Sequence, residues 1–169
     1  MLASEEDAAS SLEPATPTSS STISNRDSTN TDRGNASAVP FEGNTYIICE
    51  RSNSKAIAQR RDKTLYLRSS LVPHDDSAHW LCTNSRGYFV FQNLHTGCYL
   101  GHERGNGITG QATSIRGWEL FIIRRHPRGG CQLLTKYGWD VLWAVTVEQG
   151  ELRRQEATSD TYIWDFMEV

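Results

Sequence analysis

The sequence predicts an all-β domain preceded by a disordered tail, and three observations support that prediction. All sixteen aromatic residues of the 169-residue chain lie from Phe41 onward. From the same point, short apolar runs rich in β-branched and aromatic residues alternate with turn residues. These runs also recur in three similar units, and this internal repeat indicates the architecture most directly.

Residues 1–40 lack the apolar side chains that a folded core requires. They hold fourteen serines and threonines, six acidic residues and two basic residues. Their large aliphatic residues are Leu2, Leu12, Ile23 and Val39. Burying so little apolar surface does not offset the entropy lost on ordering the chain. We therefore expect residues 1–40 to be disordered and the folded domain to span residues 41–169.

Residues 41–169 contain many short apolar runs joined by tight connections. The runs are followed by turn residues such as Gly87, Gly97 and Gly150, which is typical of strands rather than helices. The clearest runs are 45–49, 64–67, 88–91, 118–123, 141–145 and 162–166. We find no amphipathic helical stripe of useful length, so we expect almost no helix.

The repeat is marked by three tryptophans, Trp80, Trp118 and Trp164, at intervals of 38 and 46 residues. Each lies in an apolar run. Upstream of each, two apolar positions stand nine residues apart on either side of a polar turn. These pairs are Ile48 and Ile57, Phe91 and Leu100, and Leu133 and Leu142.

A third apolar run follows each pair, near Leu65, Ile108 or Leu152, so each unit holds four strands and the fourth carries the tryptophan. Three four-strand units match a single β-trefoil, in which six strands close a barrel and six hairpin strands cap one end. The three tryptophans would then be core anchors, one in each unit. A β-sandwich is the alternative, but it would not require the threefold rhythm. A closed barrel has no edge strands, so we expect a monomer.

The stretch from Phe91 to Gly101 resembles the first hairpin of trefoil units in ricin-type lectins and fascin-like proteins. It has a strand, a turn ending in glycine, and then a large apolar residue. The resemblance implies a non-catalytic module with ricin-like carbohydrate binding through a degenerate site. The site is degenerate because Ala78, Arg116 and Tyr162 stand where those lectins usually carry the glutamine of a Gln-x-Trp motif.

The other reading of the same fold is a protein-binding trefoil, either a protease inhibitor or a cytoskeletal adaptor. It requires an ordered loop that makes the contact, at residues 74–78 or 101–110. The partner is therefore expected to be a carbohydrate or a protein.

Carbohydrate binding needs an aromatic face and nearby carboxylate and amide groups, and two units offer them. In the third unit, Trp139 stands in a turn beside a glycine, with Tyr137 and Asp140 as neighbours. In the alternative, Trp139 folds back over the end of the barrel. The candidates in the second unit are Asn93, His95, Tyr99 and Asn106.

The sequence gives no support for catalysis, a metal or a cofactor. No strand-turn-helix element offers a nucleophile elbow or a phosphate-binding loop. The residues 74–76 follow Pro73 and predict a polar turn rather than a metal site. The cysteines lack close spacing and are expected to be buried thiols: Cys49, Cys82, Cys98 and Cys131.

Charge and segment lengths argue against nucleic-acid and membrane partners. Residues 41–169 hold fifteen basic and fourteen acidic residues, without the excess that drives nucleic-acid binding. The basic clusters at 60–63, 124–128 and 153–154 are expected to be solvated loop rims. No apolar run is long enough to span a membrane, and the acidic N-terminus does not resemble a secretory signal. These features predict a cytoplasmic protein.

Overall fold

The computed structural model describes residues 39–69, 75–138, 140–159 and 162–169, with the side chain of Tyr137 excepted. Within these residues the chain forms twelve strands and one short 3₁₀ turn at Asp76–Ala78. The strands are β1 Thr45–Glu50, β2 Ala56–Gln59, β3 Leu65–Arg68, β4 His79–Ser85, β5 Tyr88–Asn93, β6 Tyr99–His102, β7 Ile108–Ala112, β8 Phe121–Arg125, β9 Cys131–Tyr137, β10 Val141–Glu148, β11 Glu151–Glu156 and β12 Trp164–Glu168.

Six of the strands close into a barrel. Antiparallel pairing runs from β1 to β4, β5, β8, β9 and β12, and β12 returns to β1. The other six strands form three hairpins, β2–β3, β6–β7 and β10–β11. Six barrel strands and three hairpins make a β-trefoil, so the predicted fold is confirmed.

The tail prediction falls mostly outside the described residues, which begin at Val39. Val39 packs against the core and Pro40 is buried, so the ordered chain includes these two residues. Within the described residues, no helix is long and apolar enough to cross a membrane.

The predicted nine-residue step holds in the first two units only. Ile48, Ile57, Phe91 and Leu100 are all fully buried in one core cluster. In the third unit Leu142 is half-buried and lies opposite Lys136 in the ladder. The β9–β10 ladder continues to the pair Val141–Tyr137, so the fully buried position comes three residues later, at Val145.

Two of the three predicted tryptophan anchors are core residues. Trp80 and Trp164 are fully buried. The Trp80 indole Nε1–H donates to the Ile57 carbonyl at 2.8 Å, and that of Trp164 donates to the Val145 carbonyl at 3.0 Å. Each indole thus joins the last strand of its unit to the second strand, and its only polar atom is satisfied.

The prediction for the third anchor, Trp118, is wrong. Trp118 is 50% exposed and precedes β8, which begins at Phe121. Phe121 is fully buried and packs against Phe91, with ring centroids 5.9 Å apart. The anchors are therefore Trp80, Phe121 and Trp164, at the more even intervals of 41 and 43 residues. Because Phe121 occupies the core position of the second unit, Trp118 is not needed in the core.

The four cysteines are free and buried, as predicted. Burial raises the pKa of the Cys49 thiol to about 11 and that of Cys82 to about 12, because the thiolate is poorly solvated there. These two side chains therefore act as small apolar core residues.

Truncation to alanine should distinguish the buried tryptophans, Trp80 and Trp164, from the half-exposed Trp118 by its effect on stability. We expect Trp80→Ala or Trp164→Ala to lower the free energy of unfolding by about 3–5 kcal/mol, through cavity formation and loss of the indole hydrogen bond. Trp118→Ala should lower it by less than about 1 kcal/mol, because that side chain is half-exposed. Urea unfolding measures all three. Equal losses for Trp118→Ala and Trp80→Ala would contradict the assignment.

Candidate functional site

The predicted site in the third unit falls largely outside the described residues. Trp139 and the side chain of Tyr137 are not described, and Asp140 is exposed after β9. That site stays a prediction.

The predicted residues of the second unit have different environments. Asn93 is fully buried, and its Oδ1 accepts the backbone N–H groups of His95 at 3.1 Å and Thr96 at 3.2 Å. Its Nδ2 donates to the Ser77 carbonyl at 2.9 Å, so the Asn93 amide holds the β5–β6 turn. His95 and Asn106 are exposed and Tyr99 is half-buried.

A cleft of about 420 Å³ lies between the end of β7 and the start of β8. Residues 111–114 and 116–119 line it, and all of them are described. The cleft is therefore formed by the β7–β8 loop, which carries Trp118.

Trp118 is the aromatic residue among those that line this cleft. The ring stacks on His102, with centroids 5.6 Å apart and an angle of 29° between the planes. Trp118 is 50% exposed, so about half of the residue remains open to solvent besides this ring contact.

One set of hydrogen bonds shapes the Trp118 loop itself, and another joins the loop to β6. Glu119 is 6% exposed, and its Oε2 accepts the backbone N–H groups of Arg116 at 2.8 Å and Gly117 at 3.2 Å. The Trp118 carbonyl accepts the His102 N–H at 3.1 Å. Gly101 permits this approach, because a Cβ at that position would lie 3.0 Å from the Trp118 carbonyl oxygen.

The His102 imidazole beneath Trp118 is held in its neutral form. Burial lowers its pKa and outweighs the hydrogen bond to the Glu103 carbonyl, which raises it, while Arg154 lowers it and Glu119 raises it by smaller amounts. The ring Nδ1 lies 3.0 Å from the Glu103 carbonyl oxygen, so Nδ1–H is the donor. His102 thus supplies an uncharged, oriented surface for the indole.

The three basic clusters of the sequence have separate neighbours in the fold. The Arg60 guanidinium lies 4.3 Å from the centroid of the Tyr66 ring. Arg124 Nε donates to Gln132 Oε1 at 2.7 Å, and Arg154 Nη2 donates to the Gly105 carbonyl at 2.9 Å. At least one arginine of each cluster therefore has a contact within the domain.

Comparisons with known proteins identify the fold. No family model and no curated protein matches the chain. Among solved structures, a GlcNAcα1-4Gal-releasing endo-β-galactosidase from Clostridium perfringens has a TM-score of 0.63 at 17% identity over 75% of this chain. This chain corresponds to 32% of that enzyme.

Two further solved structures match over nearly their whole length. The designed threefold symmetric protein ThreeFoil has a TM-score of 0.61 at 14% identity, covering 74% of this chain and 99% of its own. SeviL bound to asialo-GM1 saccharide has a TM-score of 0.58 at 15% identity, covering 73% and 96%. At these identities the likeness shows the fold alone, which is the β-trefoil.

Sequence reasoning missed Trp118 as a site residue because it placed the residue in the core. Two signals were present. Trp118 follows Gly117, the same context that singled out Trp139 beside Gly138. The interval from Trp80 to Trp118 is also shorter than the one that follows, whereas a count to Phe121 evens the two.

The lowered pKa of His102 predicts a stability change in mild acid. Below its ordinary pKa of 6.5, the unfolded chain protonates His102 before the folded protein does. This contribution to stability is therefore fully present above pH 6.5 and is lost as the pH falls through the lowered pKa. An NMR titration of the His102 ring measures its pKa in the folded protein. Unfolding of the wild type and of His102→Gln over the same pH range measures the change in stability, which the variant should lack. A folded-state pKa at or above 6.5 would contradict the neutral form.

Proposed function

We propose that the protein is a non-catalytic carbohydrate-binding module and that the Trp118 cleft is its sugar site. The observation that carries the proposal is the half-exposed indole of Trp118, which stacks on His102, lines the cleft and can offer an aromatic face to a ligand. Such a face stacks on the C–H groups of a sugar ring. The His102 backing fixes the indole before a ligand arrives, which lowers the ordering cost of binding.

The cleft also supplies groups for sugar hydroxyls. Gln111, Thr113 and Ser114 line it and are exposed, so an amide and two hydroxyls are within the cleft as donors and acceptors. A small number of polar groups around an apolar surface is the usual composition of a small-ligand site.

The carboxylate content of the cleft favours binding over catalysis. Glycoside hydrolysis ordinarily uses two carboxylates on either side of the scissile bond. Glu119 is the one acidic residue among the lining residues, and its Oε2 accepts two backbone N–H groups. The cleft therefore lacks the second carboxylate.

The fold is compatible with this function. One similar solved structure, that of SeviL, is bound to the saccharide of asialo-GM1. Closure of the barrel leaves no unpaired edge among its six strands, which supports the proposal of a monomer. A cytoplasmic location stays a prediction from the sequence.

A protein-binding trefoil is the second candidate, because the loop between β6 and β7 is both exposed and ordered. Residues 103–106 are exposed. Arg154 Nη2 donates to the carbonyls of Glu103 at 3.2 Å and Gly105 at 2.9 Å, and Arg154 N donates to the Asn106 carbonyl at 2.8 Å. An ordered loop of this kind loses little entropy on contact with a partner.

Glycan binding by paired tryptophan variants tests the sugar site. The full-length protein is screened on a glycan array, and hits are titrated by tryptophan fluorescence. We expect Trp118→Ala to weaken binding at least about tenfold, through loss of the stacking surface. Trp139→Ala is the matched variant and should bind as the wild type does.

The outcome of this screen distinguishes the Trp118 site from the Trp139 site, and carbohydrate binding from protein binding. Loss of binding in Trp139→Ala but not in Trp118→Ala would move the site to Tyr137, Trp139 and Asp140. A blank array from protein shown folded by circular dichroism would contradict the carbohydrate proposal and favour the protein-binding candidate.

A further inference from the structure

The two charged side chains that line the Trp118 cleft differ in burial. Among the lining residues only Arg116 and Glu119 carry a charge. Glu119 is buried at 6% exposure, whereas Arg116 is exposed. The two residues are three apart in one loop, yet they form no ion pair in the part of the chain that the structure describes.

The negative charge of Glu119 is used inside the loop. Its Oε2 accepts the N–H groups of Arg116 at 2.8 Å and Gly117 at 3.2 Å, and these two donors stabilise the carboxylate. The neutral His102 ring under Trp118 adds no charge at the pH of the cell interior. Arg116 is therefore the charged lining residue whose side chain is exposed.

The Arg116 guanidinium has no hydrogen bond, ion pair or ring contact with any described residue. Its backbone N–H is fixed by Glu119, so the base of the side chain is anchored next to the stacking surface. A guanidinium presents a planar fork of donors that matches the two oxygens of a carboxylate or a sulfate.

We infer that the Trp118 cleft selects saccharides that carry an anionic group, a carboxylate or a sulfate, and that Arg116 is the specificity-determining residue. This inference rests on the proposed function of the cleft. The sugar ring stacks on Trp118 while its anionic group pairs with Arg116. A neutral sugar makes the stacking contact alone.

The test compares sugars that differ only in the anionic group. Galactose, galacturonate and galactose 6-sulfate, and the same three forms of glucose, are titrated into the full-length protein by calorimetry at low salt. Because Arg116 is exposed, we expect the acidic form to bind about fivefold more tightly than its neutral parent. The carboxylate and sulfate forms show which of the two anions the cleft prefers.

Variants of Arg116 then isolate its contribution. In Arg116→Gln the acidic and neutral forms should bind equally. Arg116→Lys keeps the charge without the fork, so it should retain only part of the preference. Arg61→Gln removes the same charge at an exposed position outside the cleft and should leave the preference intact.

The outcomes separate this inference from the proposed function. Equal binding of acidic and neutral sugars, with both lost in Trp118→Ala, would overturn the acidic preference and leave the sugar site standing. A preference that persists in Arg116→Gln would overturn the role of Arg116. Acidic sugars that bind Trp118→Ala as tightly as the wild type would overturn the site itself, and with it this inference.

Discussion

The fold depends on a closed ring of six antiparallel strands, and the last strand of each unit contributes a large buried aromatic side chain to its core. Trp80 and Trp164 fill two of these places, and each indole donates to a carbonyl on another strand of its own unit. Phe121 fills the third place and contacts Phe91, which in turn stacks on Phe166 at 5.6 Å. A phenylalanine has no polar atom to satisfy, so the second unit reaches the same closure without an indole hydrogen bond.

The presence of Phe121 instead of Trp118 in the barrel core also accounts for the candidate site. With Phe121 in the barrel, Trp118 stands in the preceding loop, where it can stack on His102 rather than pack inside. Gly101 allows that loop to lie close to β6, and the buried Glu119 carboxylate holds its backbone. A half-exposed indole that lines a cleft offers apolar surface for a ligand to cover, and the proposed site is built on this feature.

The trefoil was predictable because its evidence is repetitive: three units repeat the same order of apolar runs and turns, so an error in one unit does not change the count. The register within a unit was less predictable. Residue type does not distinguish Trp118 from Phe121 as the buried residue, since both are large and aromatic, and the signals that favour Phe121 are the preceding Gly117 and the uneven interval between tryptophans. In the third unit, the longer β9–β10 ladder moved the core position from Leu142 to Val145. Such choices depend on ladder lengths and on contacts between distant segments, such as Gly101 with Trp118, which spacing alone does not reveal.

Hydrogen exchange of the tryptophan indole N–H groups, followed by NMR in the full-length protein, tests the central claim most directly. Signals are assigned with single Trp→Phe variants. The account predicts slow exchange for Trp80 and Trp164, whose N–H groups donate to buried carbonyls, and fast exchange for Trp118. Protection of Trp118 equal to that of Trp80 would contradict the account, because it would place Trp118 in the barrel and leave the cleft without its stacking surface.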